Sequence, residues 1–263
     1  MTDSMTFSLP PALVRKARDF RGTPAPVRAA ATVVLLRPAA ESFEAYVLKR
    51  ATTMAFGGMY AFPGGGVDES DRPETIRDDW AERLGVPAEQ ARAVVGAAAR
   101  ELFEEAGVLL AGPVGRPDRT VGDVGTDDWE ADRAAVAARE LTMTDLLARR
   151  GLRLRDDLLL PWARWITPEF EPKRFDTWFF VALLPAGQTA RDVSGEADRT
   201  RWISPAAADG LTMLPPTRST LSSFRPYREM VEVVAASARR DAATPVLPRV
   251  ELTEDGGAVL HIG

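Results

Sequence analysis

Residues 98 to 112 read AARELFEEAGVLLAG and place Glu101, Glu104 and Glu105 within five positions, with Arg100 beside them. At about 100° per residue, Glu105 sits roughly 40° from Glu101 and Glu104 roughly 60° to the other side, so the three carboxylates share an arc of about 100°. Leu102 and Phe103 point away from that arc, towards a core. Like charges at this spacing repel by roughly 0.2–0.5 kcal/mol per pair. Gly107 is a good helix stop, which puts the cluster near the negative end of the helix dipole and adds to the cost. A hard divalent cation would relieve it, accepting two or three carboxylates and leaving positions for water and a phosphate oxygen. Taken alone, the helix fits a solvated Glu-rich face equally well.

A second segment shifts that balance. FGGMYAFPGGGVDESD, residues 56–71, holds five glycines and a proline. Gly64, Gly65 and Gly66 permit a close backbone approach that side chains would block. A strand, then FPGG, then a helix bearing RELFEEAG is far more specific than either part. This combination resembles the signature of the Nudix hydrolases: Gly, five residues, Glu, seven residues, then Arg-Glu-apolar-x-Glu-Glu-x-Gly-apolar. Arg100 to Val108 match the second half at every position. Gly65, with five residues before Asp71, matches the first half with Asp in place of Glu. Residues 72 to 99 number 28 where the signature has seven, a 21-residue insertion that leaves the role of Asp71 open.

The resemblance implies a Mg²⁺-dependent hydrolase, with Mn²⁺ as a substitute, acting on a diphosphate linkage of a nucleoside diphosphate derivative. It assigns Glu101 and Glu105 as principal metal ligands and Glu104 as a further ligand or the residue that orients the attacking water. Arg100 would hold the glutamates by ion pairs. A carbonyl of Gly64 or Gly65 would complete the metal shell. ARWITP, RFDTWFF and LPPTRSTL, together with the long insertion, resemble more narrowly the acyl-coenzyme A diphosphatase branch. That implies coenzyme A or acyl-coenzyme A as substrate. ADP-ribose or NADH is the alternative within the class, and a non-catalytic nucleotide-sensing module the alternative outside it. Many members of the family pair as homodimers.

Other positions have two readings each. Lys49 and Arg50 end a strand just before the glycine loop and either meet substrate phosphates or face solvent. Arg174 and Asp176 either form a structural pair or line the cleft. Glu196 either reaches the metals or is a solvated loop carboxylate, the more ordinary outcome. Trp162, Trp165 and Trp178 read as core rather than as base-stacking platforms. Asp68 and Asp71 either join the metal cluster or, at Asp71, cap an inserted helix.

Composition narrows the chemistry further. The chain has no Cys and a single His, His261, which excludes disulfides, thiolate nucleophiles, His-based triads and Cys- or His-ligated zinc. A net charge of −5 gives no basic field for nucleic acid or a membrane surface. No signal-peptide pattern opens the chain and no apolar run approaches the ~20 residues of a membrane span. A cytoplasmic protein is the expectation.

The elements that must position these groups follow from pattern. AAATVVLLRP (29–38) and SFEAYVLKR (42–50) read as neighbouring strands. Helices are expected over 73–85, from Pro87 to about Ala106, over 130–151 with a break near Thr142, and over 215–241 with a kink at Pro226. VLLAG (108–112) reads as a short strand. WARWITP (162–168) and RFDTWFFVALLP (174–185) read as a strand pair, and a further strand starts near 200. A C-terminal hairpin is centred on Asp255-Gly256. Strands interleaved with helices predict an α/β fold of the Nudix type, an α/β/α sandwich with a mixed sheet and helical insertions. The expected organisation is an N-terminal surface extension over 1–27 and a domain over 28–242 with insertions at about 72–99 and 113–160. The hairpin, 243–263, packs on the same domain.

Overall fold

The computed structural model describes residues 5–8, 11–52, 57–193, 197–254 and 257–262. The strands are β1 (Met5–Ser8), β2 (Val27–Pro38), β3 (Phe43–Arg50), β4 (Tyr60–Ala61), β5 (Gly64–Gly66), β6 (Ala111–Pro113), β7 (Leu152–Leu154), β8 (Leu160–Ile166), β9 (Arg174–Leu183), β10 (Ala197–Ile203), β11 (Arg249–Leu252) and β12 (Ala258–Ile262). The helices are α1 (Pro11–Asp19), α2 (Trp80–Leu84), α3 (Ala88–Ala106), α4 (Asp127–Ala137), α5 (Met143–Arg149), α6 (Pro215–Ser222) and α7 (Met230–Ser237).

The main sheet runs β10-β3-β2-β9-β8, with β4 paired to β3 and β5 to β2. It is mixed: β2 and β9 are parallel and the other pairs antiparallel. Alternation sends Ala31, Val33 and Leu35 of β2, and Trp178, Phe180 and Ala182 of β9, to one face. Val34, Leu36, Phe179 and Val181 go to the other. The first face packs on α2, α3, α4 and α5 and the second on α6 and α7. Burial on both faces explains why these strands read as continuous apolar runs. The architecture is the expected α/β/α sandwich.

Two expected helices differ. The segment 73–79 is not helical, and α2 covers only Trp80–Leu84. Its approach is fixed instead by the buried Asp156, which accepts from the Arg77 backbone N–H at 2.9 Å and Trp80 Nε1 at 2.7 Å. A long-range side chain satisfies that backbone donor, so no helical turn is needed there. The stretch 215–241 is two helices separated at 223–229, with α7 opened by a capping box of Glu229 and Glu232. Pro226 therefore sits in a break rather than a kink.

The strand expected over 108–112 is shifted to Ala111–Pro113. Within the N-terminal stretch, β1 pairs antiparallel with β12. β11 and β12 pair antiparallel, as the hairpin reading requires, while its turn residues Asp255 and Gly256 lie outside the described residues.

The inserted residues lengthen the acidic helix at its N-terminal side, giving α3 19 residues. Gly96 lies inside it. A Cβ there would stand 2.9 Å from Pro73 Cδ and 3.1 Å from the Asp71 carbonyl carbon. Its absence lets the chain at 71–73 cross the helix in contact, one turn before Arg100.

Candidate active site

The acidic face of α3 is not solvated. Glu101, Glu104 and Glu105 are 7, 9 and 8% exposed, and Arg100 only 1%. Burying four charged side chains within six residues of one helix requires partners, and the site supplies them from three other segments.

Asp71 is the first. Its Oδ1 accepts from Arg100 Nε at 2.7 Å and its Oδ2 from Nη2 at 3.0 Å, a bidentate pair inside the protein. Oδ2 also accepts from the Asp68 backbone N–H at 2.7 Å, which closes the 68–71 turn. Asp71 therefore does not cap a helix. Arg100 completes its fork with Nη1 to Glu101 at 2.6 Å and to Glu104 at 3.2 Å, and Nη2 to the Gly66 carbonyl at 2.9 Å. Burial alone would lower the Arg100 pKa, but the Asp71 hydrogen bonds and the charges of Glu101, Asp71 and Glu104 hold it well above the usual range.

The glycine strand is the second. β5 lies antiparallel to β2, with Gly65 opposite Ala31. The Gly64 N–H donates to Glu105 Oε2 at 2.8 Å. A Cβ on Gly65 would lie 2.5 Å from Glu101 Oε1, so the bare backbone of Gly65 is what leaves room for that carboxylate.

The third partner was not foreseen. Arg139, just past α4, hydrogen-bonds Glu104 Oε1 through Nη1 and approaches Asp68 with Nε at 3.7 Å from Oδ2. It has φ +62°, and among the described residues no other non-glycine has a positive φ. The left-handed region costs an L-residue about 1–2 kcal/mol. A helix end there calls for Gly, so the sequence carries no signal for Arg139 beyond the end of the α4 periodicity.

Burial pushes the Glu101 pKa up to about 7, against the lowering effect of Arg100 and with a further rise from Glu104. Asp68 is held below the usual carboxylate range, chiefly by hydrogen bonds from Ser70 and further by Arg139 and Arg100. Tyr46, on β3, is pushed up to about 12 by burial, with the charges of Asp192 and Glu105 adding to it.

Among the described residues no three acidic or histidine side chains converge as they stand on one point that would hold an ion. The donor chemistry nonetheless fits a hard divalent cation. The ligand atoms offered are carboxylate oxygens. One of them, Glu101, is forced towards its neutral form by burial, the usual sign that a counter-charge is needed.

The remaining candidates fall as follows. Arg50 ends β3, half-buried, its N–H bonded to the Met59 carbonyl and its carbonyl to the Gly58 N–H. Lys49 is also half-buried and opposite Arg199. Arg174 and Asp176 do not pair: Arg174 donates to the carbonyls of Thr167 and Ala25, and Asp176 is held bidentately by Arg164. Trp162, Trp165 and Trp178 are buried in the core. Glu196 lies outside the described residues.

No family model matches the chain. It is 29% identical to the putative nudix hydrolase 7 of Caenorhabditis elegans over 160 residues, 60% of this chain and 46% of that one. It is 22% identical to the acyl-coenzyme A diphosphatase NUDT19 of Xenopus laevis over 267 residues, 81% of this chain and 68% of that one. The chain thus spans less than half the length of the first of these relatives. A crystal structure of a NUDIX hydrolase from Alicyclobacillus acidocaldarius matches with a TM-score of 0.64 and 26% identity, covering 84% of this chain and 99% of that one. In sequence and in fold, the chain is similar to these Nudix hydrolases. Among the described residues, no helix is long and apolar enough to cross a membrane.

Proposed function

We propose that this protein is a divalent-cation-dependent hydrolase of a diphosphate linkage in a nucleoside diphosphate derivative. One observation carries the reading: the three glutamates of the RELFEE turn are buried together, Glu101 and Glu104 tied through Arg100 to Asp71, Glu105 held by the Gly64 N–H, and the cluster faced by the side-chain-free strand Gly64–Gly66. A structural helix gains nothing from burying three carboxylates; a cation-loading site requires it.

Glu101 and Glu105 hold the cation, Mg²⁺ or Mn²⁺, with Glu104 as third ligand or as the group that orients water. When bound, the cation polarises the phosphoryl oxygens and lowers the pKa of water. Arg100 keeps Glu101 and Glu104 on one side of the helix, and Asp71 keeps Arg100 in plane. The Gly64 N–H fixes the rotamer of Glu105. Water then attacks one phosphorus in line, the bridging oxygen leaves with the other half, and two phosphate monoesters result. Arg50, at the end of β3, is a candidate contact for the substrate phosphates.

For the substrate, the reading favours coenzyme A or acyl-coenzyme A, cleaved to an acyl-phosphopantetheine and adenosine 3′,5′-bisphosphate. The similarity to a protein named as an acyl-coenzyme A diphosphatase supports it. Comparison of kcat/KM for coenzyme A, acyl-coenzyme A, ADP-ribose and NADH tests the choice. The expected result is at least a tenfold preference for the coenzyme A species. A preference for ADP-ribose or NADH would keep the chemistry and discard the substrate, and binding without turnover would favour a sensing module. Cytoplasmic residence and pairing into a homodimer remain part of the same proposal.

A further inference from the structure

We infer that Arg139 is a substrate-binding residue of this site: it pairs with Glu104, and grips the substrate diphosphate when a bound cation takes over the charge of that carboxylate. The inference rests on the reading under Proposed function and deepens it.

The local backbone gives the first argument. Past the end of α4, the Glu140 N–H reaches back to the Ala135 carbonyl and the Arg139 N–H to that of Val136, at 2.9 and 3.0 Å. This pair of bonds is the Schellman ending of a helix, and its left-handed residue is ordinarily Gly. Here that residue is Arg139, with φ +62°. The chain keeps a strained residue where an unstrained one would end the helix equally well, and such outliers gather at functional sites.

The side chain gives the second argument. Arg139 comes from outside the RELFEE turn and the glycine strand, yet it lands on Glu104 and beside Asp68. Arg100 already pairs with Glu104, and Arg133 ties α4 to α3 through the Glu104 carbonyl at 3.0 Å. The edge-on contact of Trp129 with Phe103 ties the two helices again. Docking of α4 therefore does not depend on Arg139. Its side chain is 43% exposed, against 1% for Arg100. Among the described residues only its Nη1 makes hydrogen bonds, and Nε lies 3.7 Å from Asp68 Oδ2, so Nη2 has donors to offer.

A cation bound at Glu104 supplies the positive charge that Arg139 now supplies. The released guanidinium remains anchored at the rim of the same cluster, and its planar fork matches two oxygens of a diphosphate. The group that pairs with Glu104 thus becomes the group that balances the substrate.

The test uses the full chain and α,β-methylene-ADP, a diphosphate that cannot be hydrolysed at the bridge, titrated calorimetrically with Mg²⁺ present. Thermal melting of the metal-free protein is measured alongside. Arg139→Gly relieves the strained φ, so melting is expected to hold or rise while the analogue binds about tenfold to a hundredfold more weakly. Binding within twofold of wild type would overturn the inference and leave the proposed function standing. If Arg139→Gly melts well below wild type, Arg139→Lys decides. Restored melting with binding still weak supports the inference, and binding restored together with melting overturns it. Failure of the wild type to bind the analogue would sink the proposed function and this inference with it.

Discussion

Arg100 touches three carboxylates directly: Asp71 through two hydrogen bonds, Glu101 and Glu104 through one each. Replacing Asp71 with Ala leaves that guanidinium buried beside fewer counter-charges, which costs on the order of 3–5 kcal/mol. Urea unfolding of the metal-free variant measures this, and a loss under about 1 kcal/mol would contradict a buried pair at Asp71. The proton on Glu101 gives a second handle. Its folded pKa, about 7, lies above the ordinary 4.5, so between those values the native state binds more protons than the unfolded chain. This group's contribution therefore makes the metal-free protein less stable as pH rises through that window. Cation binding needs the carboxylate and must expel the proton. Mn²⁺ titration in buffers of different ionisation heat should show about one proton released at pH 6 and close to none at pH 8. Equal release at both would remove Glu101 from the ligand set. At this scale the RELFEE turn was legible because its contacts are local. The Asp71 pairing was not, because it is made across a 21-residue insertion. Arg139 was invisible because nothing in a sequence marks an arginine at a left-handed helix end.

Two elements meet at the site, the end of α3 and the strand Gly64–Gly66, and their approach sets where the carboxylates sit. Gly65→Ala tests that approach. The new methyl would meet the far end of the Glu101 side chain rather than backbone. The fold should survive and the carboxylate should move. A displacement near 1 Å at a reacting centre costs roughly a hundredfold in rate. The expected variant thus melts like wild type and turns over about a hundredfold more slowly, while unimpaired turnover would mean that Glu101 needs no such room. Sequence pattern placed β2, β3, β8, β9 and α3 because each has a strong apolar period or a clear stop. It overran at 73–79, where the Arg77 N–H is satisfied by Asp156, 79 positions away. It also joined α6 and α7 across a break at 223–229. Both errors arise where tertiary contacts replace local hydrogen bonds.

At the scale of the molecule, the sheet separates two apolar cores, and the acidic cluster lies on the side of α3. The insertion adds length to α3 before the RELFEE turn, and the segment after β6 adds α4 and α5, which bring Arg139 to the rim. The α/β/α class was legible from interleaved strands and helices. The pairing of β1 with β12, which joins the two ends of the chain in one small sheet, was not, since neither strand signals its partner. The measurement that bears most directly on the account is turnover of coenzyme A and ADP-ribose by metal-free protein, before and after Mg²⁺ is added, with Glu105→Gln alongside. The account predicts no hydrolysis before addition, hydrolysis of at least one substrate after it, and a loss on the order of a hundredfold or more in the variant. Hydrolysis that needs no cation, or that survives undiminished in Glu105→Gln, would contradict it.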